Sequence, residues 1–186
     1  SNKWMIGTVN SFFIGFIATF IATTLGTLAA LGLSRPHMPY KGLIMAILIS
    51  PMIVPLIITA AGMFFFYARI NLVYSFTGII LAHVALATPF VVITVTATLV
   101  GFDMNMVKAA QSLGARPVRT FFKVIMPLIL PGVISGALFA FITSFDEVVI
   151  VMFMGSLDQL TIPKQMWAGI RQEISPVILC MATCLV

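Results

Sequence analysis

Two carboxylates, Asp146 and Glu147, stand side by side in an otherwise apolar run from Leu128 to Met154. A carboxylate inside a membrane helix costs at least ~2.5–3.5 kcal/mol on insertion scales, so such acids face a pathway or a partner. Counted from Pro131, Asp146 lies about 22 Å along the run, in its outer half. On a continuous helix Glu147 falls on the side of Gly132, Gly136, Ala140 and Ser144, while Asp146 points about 100° away. The two acids are therefore expected to do different jobs, one toward a packing partner and one toward an opening. Which acid does which stays open. Together they suit a cation-attracting element of a translocation path; an ion pair to another subunit, or a place near the outer interface, fits the residues equally.

Other reactive side chains are few. His83 lies inside an apolar run with no acid at helical spacing, which favours a hydrogen-bonded packing role over a proton relay. Cys180 and Cys184 share one helical face, but their spacing is neither a zinc nor a thioredoxin pattern, and they read as small packing residues. No P-loop, HExxH helix, Ser/His/Asp set or metal-ligand cluster occurs. The expected catalytic and metal residues are therefore none, and ATP hydrolysis by this chain is excluded.

These groups must be carried by membrane helices. Of 186 residues 61% are hydrophobic and 8% charged, with a mean hydropathy of +1.15. Soluble domains hold about 25% charged residues. The net charge of +5 is spread between long apolar runs, so it reads as topology information and not as a nucleic-acid surface. Full-length spans are expected at about 8–33, 43–68, 77–101 and 128–154, with a fifth, 176–186, cut short. The chain reads as a fragment of a longer protein. Lipid offers no hydrogen-bond partners, so the runs should be α-helical. Pro51 and Pro55 should kink or break the second, and Pro89 is placed to do the same in the third.

Charge sets direction. Arg35 and Lys41 flank one loop without an acid, and Lys108, Arg116, Arg119 and Lys123 face Asp103 alone in the segment 102–126. Arg69 stands beside the turn near Asn71, and Lys164 and Arg171 are balanced by Asp158 and Glu173. The positive-inside rule puts the first two segments in the cytoplasm and the last two outside, so the N-terminus lies outside. Trp4, Tyr40, Tyr67, Tyr74 and Trp167 fall near expected span ends. Small residues form two stripes, Ala22–Gly26–Ala30 and Gly132–Gly136–Ala140–Ser144, which suit close helix packing.

The segment 102–126 is too long for a plain connection. Met104 to Leu113 reads as a helix stopped at Gly114 by a left-handed cap, and Pro117 opens a second helix. Val118, Phe121, Phe122 and Ile125 give that helix an apolar face, with Arg119 and Lys123 outside it.

This segment resembles the EAA loop of the permease subunits of ABC importers: Glu-Ala-Ala, three residues, Gly, nine residues, Ile, any residue, Leu-Pro. Lys108, Ala109 and Ala110 take the first three places, Gly114 the glycine, and Val124, Met126 and Pro127 the last three. Lys108 stands where the family has Glu and reverses that charge. More loosely, NSFFIGFIATFIATTLGTLAALGLSR, SPMIVPLIITAAG and SFDEVVIVMFM resemble spans of the spermidine/putrescine-type branch. The resemblance implies an all-α, polytopic bundle of the ABC importer type I, in the bacterial inner membrane, with a cytoplasmic coupling-helix hairpin. It implies contact with an ATPase through Lys108, Ala109, Ala110, Ser112, Leu113, Gly114, Ala115, Arg116 and Pro117. It further implies a second permease subunit, expected to be a different chain, two ATPase subunits and an external substrate-binding protein. ATP and Mg2+ would sit on the ATPase, with no cofactor on this chain. The expected cargo is a polyamine or related amine; another small solute, or an ion-driven carrier or channel, is the alternative.

Overall fold

The computed structural model describes residues 2–35, 37–101, 103–172 and 176–185. Glu173 lies outside the described residues, and so does the side chain of Cys184. The described residues hold no strand. The helices are α1 (Asn2–Leu33), α2 (Lys41–Ile53), α3 (Leu56–Arg69), α4 (Phe76–Val100), α5 (Met104–Ser112), α6 (Pro117–Thr120), α7 (Met126–Phe145), α8 (Val149–Met154), α9 (Ile162–Gln172) and α10 (Pro176–Leu185). A widened helical turn, Phe121–Ile125, joins α6 to α7, so Pro117–Phe145 runs as one helix of 29 residues.

The apolar runs become helices in three ways. Residues 43–68 form α2 and α3, bent by 105° at Val54 and Pro55. Each proline removes an N–H that the carbonyl four residues earlier would have used. Within α2 the Ser50 hydroxyl donates to the Ile47 carbonyl (2.8 Å), the group that Pro51 leaves without its usual donor. Pro89, by contrast, leaves α4 continuous and lies buried inside it. The run 128–154 is not one helix: α7 ends at Phe145, residues 146–148 are non-helical, and α8 starts at Val149. The placing of Glu147 by continued helical rotation therefore does not apply.

Helix α4 is the centre of the bundle, with twelve of its residues buried. The Ser75 hydroxyl caps its start by accepting from the Gly78 N–H (3.0 Å). Against α4 lie α1 and α7, which also pack on each other, and both approach α4 through small residues. A Cβ on Gly26 would stand 2.7 Å from the Val91 Cβ. On α7, a Cβ on Gly132 would come 2.6 Å from the Thr98 Oγ1, and one on Gly136 would come 3.0 Å from the Val91 Cα. Ala22, Ala30 and Ala140 are fully buried in the same two stripes. Ser144, the last member of its stripe, shares a 2.8 Å hydrogen bond with the buried His83 Nδ1, which ties α7 to α4.

One end of the bundle is closed by side chains that bond to backbone. Asn10 donates to the carbonyls of Asp158 and Leu160, each at 2.9 Å, and the Ser11 hydroxyl accepts from the Ile162 N–H (2.9 Å). Gln159 donates to the Tyr74 carbonyl (2.8 Å), and the Tyr74 N–H donates to Met154 (2.9 Å). The early part of α1, the turn before α4 and the segment after α8 therefore meet at this end. The opposite end carries Arg35, Lys41, Lys108, Arg116, Arg119 and Lys123, the basic residues by which the positive-inside rule assigns this end to the cytoplasm.

Glycine at the α4–α7 contact is a packing requirement and can be tested. Gly136→Ala should lower the stability of the purified chain in detergent by about 1–3 kcal/mol, the usual cost of overpacking a tight contact. Gly62→Ala, where a Cβ meets nothing within 4 Å, should leave it unchanged or slightly raised. Equal thermal unfolding of the two variants would contradict this account of the contact.

Candidate functional site

At the cytoplasmic end, Asp103 caps α5 by accepting from the Asn105 N–H (2.9 Å). Gly114 follows the helix with φ of +79°, a conformation costly for any residue with a Cβ. The Gly114 N–H donates to Gln111 (2.9 Å) and the Ala115 N–H to Ala110 (3.1 Å), the paired bonds of a Schellman cap. Arg116 is then extended, and Pro117 opens α6, where its missing N–H costs nothing. Lys108, Ala109, Ser112, Leu113, Gly114, Arg116 and Pro117 are exposed, while Ala110 and Ala115 are half-buried.

The second arm differs from a simple amphipathic helix. Val118 and Phe122 are exposed, at 69% and 63%, whereas Phe121 and Ile125 are half-buried and Thr120 is buried. The Met126 N–H donates to Phe121, five residues back, and this wider turn breaks the 3.6-residue period on which a single apolar face depends. Pro127 and Pro131 lack the N–H groups that a regular turn here would use. With Leu113, exposed at 88%, Val118 and Phe122 leave a cytoplasmic tip of apolar and basic side chains.

At the outer end the two acids part. Asp146 is exposed and lines a cavity of about 670 Å³. Phe12 of α1, Phe141, Ile142 and Phe145 of α7, and Pro163, Met166, Trp167 and Ile170 of α9 form its walls, with Val148 and Ala182. The phenylalanines pack on one another: Phe12 and Phe145 have ring centroids 5.1 Å apart, and Phe141 and Phe145 are stacked at 5.4 Å. Aromatic side chains beside one carboxylate suit an organic cation. Glu147 is buried and is not among the lining residues. Its Oε1 accepts from the Ile150 N–H (2.9 Å), so it starts α8. At the other end of α8, Lys164 donates to the Val151 and Gly155 carbonyls at 3.0 and 2.9 Å. Partial burial holds the Lys164 pKa below the usual lysine value.

The structure thus separates what the sequence set side by side. Gly132, Gly136, Ala140 and Ser144 face α4, Asp146 faces the cavity, and Glu147 faces the backbone of α8. Sequence reasoning missed the aromatic wall and Lys164. The pairs Phe12/Phe16 and Phe141/Phe145, each four residues apart, were the available signal for the wall. Nothing local signals the Lys164 contact, whose partners lie 9 and 13 residues away. Cys180 is exposed and free. No group of three or more metal-binding side chains occurs among the described residues.

A bundle of membrane helices with this exposed, glycine-capped loop fits the inner-membrane component of a transport system. The model of the family described as "Binding-protein-dependent transport system inner membrane component" matches residues 22–186, and the chain belongs to that family, the permeases of ABC importers. It is 32% identical over 178 residues to the spermidine/putrescine transport system permease protein PotC of Haemophilus influenzae, covering 96% of this chain and 69% of that protein. To the putrescine transport system permease protein PotI of Escherichia coli it is 30% identical over 178 residues, covering 91% of this chain and 63% of that protein. It therefore spans roughly two thirds of the length of these relatives. An inward-facing structure of the MetNI methionine ABC transporter has the same fold, with a TM-score of 0.75 at 18% identity, over 98% of this chain and 87% of that one.

The bond from Glu147 to Ile150 generates the next expectation. Glu147→Leu leaves a buried N–H without an acceptor and should cost about 1–3 kcal/mol, whereas Glu147→Gln keeps an acceptor oxygen and should cost less. Thermal unfolding in detergent distinguishes them; equal losses would mean that the carboxylate does not hold the start of α8.

Proposed function

We propose that this chain is the membrane-spanning permease subunit of an ATP-driven importer that passes a polyamine or related cationic amine from an external binding protein into the cytoplasm. The observation that carries the reading is the unbroken helix Pro117–Phe145. It begins at the exposed cytoplasmic turn and ends at the residue before Asp146, a length of about 43 Å. A partner that grips α5 and the Gly114 turn therefore holds one end of a rod whose other end bears the acid. Closure of an ATPase on that tip would tilt the rod and move the Asp146 wall of the cavity against the wall formed by α9.

In this reading ATP and Mg2+ stay with two ATPase subunits, which Lys108, Ala109, Ala110, Ser112, Leu113, Gly114, Ala115, Arg116 and Pro117 contact. A second permease subunit, a different chain, covers part of the apolar outer surface. Asp146 carries the cation path. Glu147 supports it by holding α8 in place. A polycation leaving its binding protein loses water, and a carboxylate with ring faces offsets part of that cost. The names of the PotC and PotI relatives support an amine as cargo.

Two variants in the assembled transporter test the reading. Gly114→Val should leave amine binding intact while ATP hydrolysis no longer drives uptake, because a β-branched residue resists positive φ. Normal uptake by this variant would count against coupling through the turn. Asp146→Asn keeps shape and removes charge; a charged hydrogen bond is worth about 1.5–3 kcal/mol, so uptake into vesicles should fall roughly tenfold to a hundredfold. ATPase copurification should be unchanged. Uptake that persists without ATP would instead favour an ion-driven carrier or channel.

A further inference from the structure

The short helix α8 is held by charge at both ends. Six residues cannot sustain a helix alone, and most end groups of so short a helix find no partner inside it. Lys164 donates to two carbonyls there, that of Gly155 and that of Val151, which also accepts from the Gly155 N–H (2.9 Å), and a cation at a helix C-terminus is favourable. Glycine keeps the space open: a Cβ on Gly155 would stand 2.7 Å from the Val151 oxygen and 3.4 Å from the Lys164 Nζ.

Lys164 lies in the first turn of α9, between residues that form one wall of the cavity, Pro163 and Met166, with Trp167 beyond. The opposing wall, Phe145 and Asp146, leads directly into α8 through Glu147. A tie from Lys164 to the end of α8 therefore links α9, which carries one set of lining residues, to the helix that follows Asp146. We propose that Lys164 is a positioning residue that sets the separation between the α9 wall and the Asp146 wall. Its consequence for transport rests on the reading of this cavity as the amine path; its consequence for the width of the cavity rests on geometry alone.

The experiment measures the two consequences separately in the complete transporter, with Cys180 and Cys184 replaced by alanine. Spin labels at Ile142 and Ile170, which line the cavity from α7 and α9, report the separation. Lys164→Met should give a longer, broader distance distribution, and Lys164→Arg should restore the original one. If Lys164→Met fails to assemble, Lys164→Gln replaces it with the same expectation. In uptake of putrescine or spermidine, the Met variant should raise KM about fivefold with kcat within about twofold, the mark of lost binding geometry. Lys164→Arg should return KM to its original value. An unchanged distance distribution in Lys164→Met overturns the proposal. So does a widened cavity with unchanged KM, provided that Asp146→Asn measured alongside impairs uptake. Normal uptake by Asp146→Asn sinks the amine-path reading instead, and the distance measurement then decides for or against Lys164 by itself.

Discussion

Thr94 and Thr98 lie so close to Gly136 and Gly132 that no side chain fits between α4 and α7 at those levels. Lipid is as apolar as the helices, so burial of apolar surface cannot hold them together, and close backbone approach must do more of the work. The same holds between α1 and α4, where Gly26 meets Val91, the residue that Gly136 of α7 also approaches. Because α1, α4 and α7 all pack on one another, each fixes the positions of the other two. The cavity, whose walls include Phe12 of α1 and Phe141 of α7, then has a fixed back.

Close packing against α4 extends along most of α7. Its stripe of small residues finishes at Ser144, bonded to His83, and the helix stops one residue later. The start of α8 takes over through Glu147, so Asp146 sits on a three-residue break between two held elements. An acid on such a break is freed from helical rotation and can face the cavity while its neighbour faces protein. At the cytoplasmic end the widened turn at Phe121–Ile125 is the one place in Pro117–Phe145 where the ladder changes step. Wide turns of this kind are frequent at functional sites, and this one lies between the exposed tip and the packed stripe.

Much of this was legible from residue order. The apolar runs located α1 and α4 closely, Gly114 and Pro117 marked the turn of the loop, and the two small-residue stripes are the ones that meet α4. These features follow from local conformation and from lipid as solvent, which act on any segment regardless of its neighbours. What escaped depends on contacts across the chain. The end of α7 at Phe145 is not signalled by a glycine or proline; a carboxylate that captures the Ile150 N–H makes it. The bonds of Asn10 to Asp158 and Leu160 join residues about 150 positions apart, and no helical period reveals them.

Proline shows why local signals alone were insufficient. Pro55 and Pro89 make the same chemical demand, a missing donor and a ring that crowds the preceding turn. Pro89 is buried in a helix packed closely by both α1 and α7, so a bend there would separate several tight contacts at once. Pro55 follows Pro51 by four residues in a region where α2 has no buried residue, and nothing opposes the bend. The two arms then diverge by 105°, one packing beside α4 and the other reaching α8. The bend costs little where packing is sparse and much where it is dense. Thus the density of contacts around a proline decides whether its span stays straight, and that density is a property of the folded bundle.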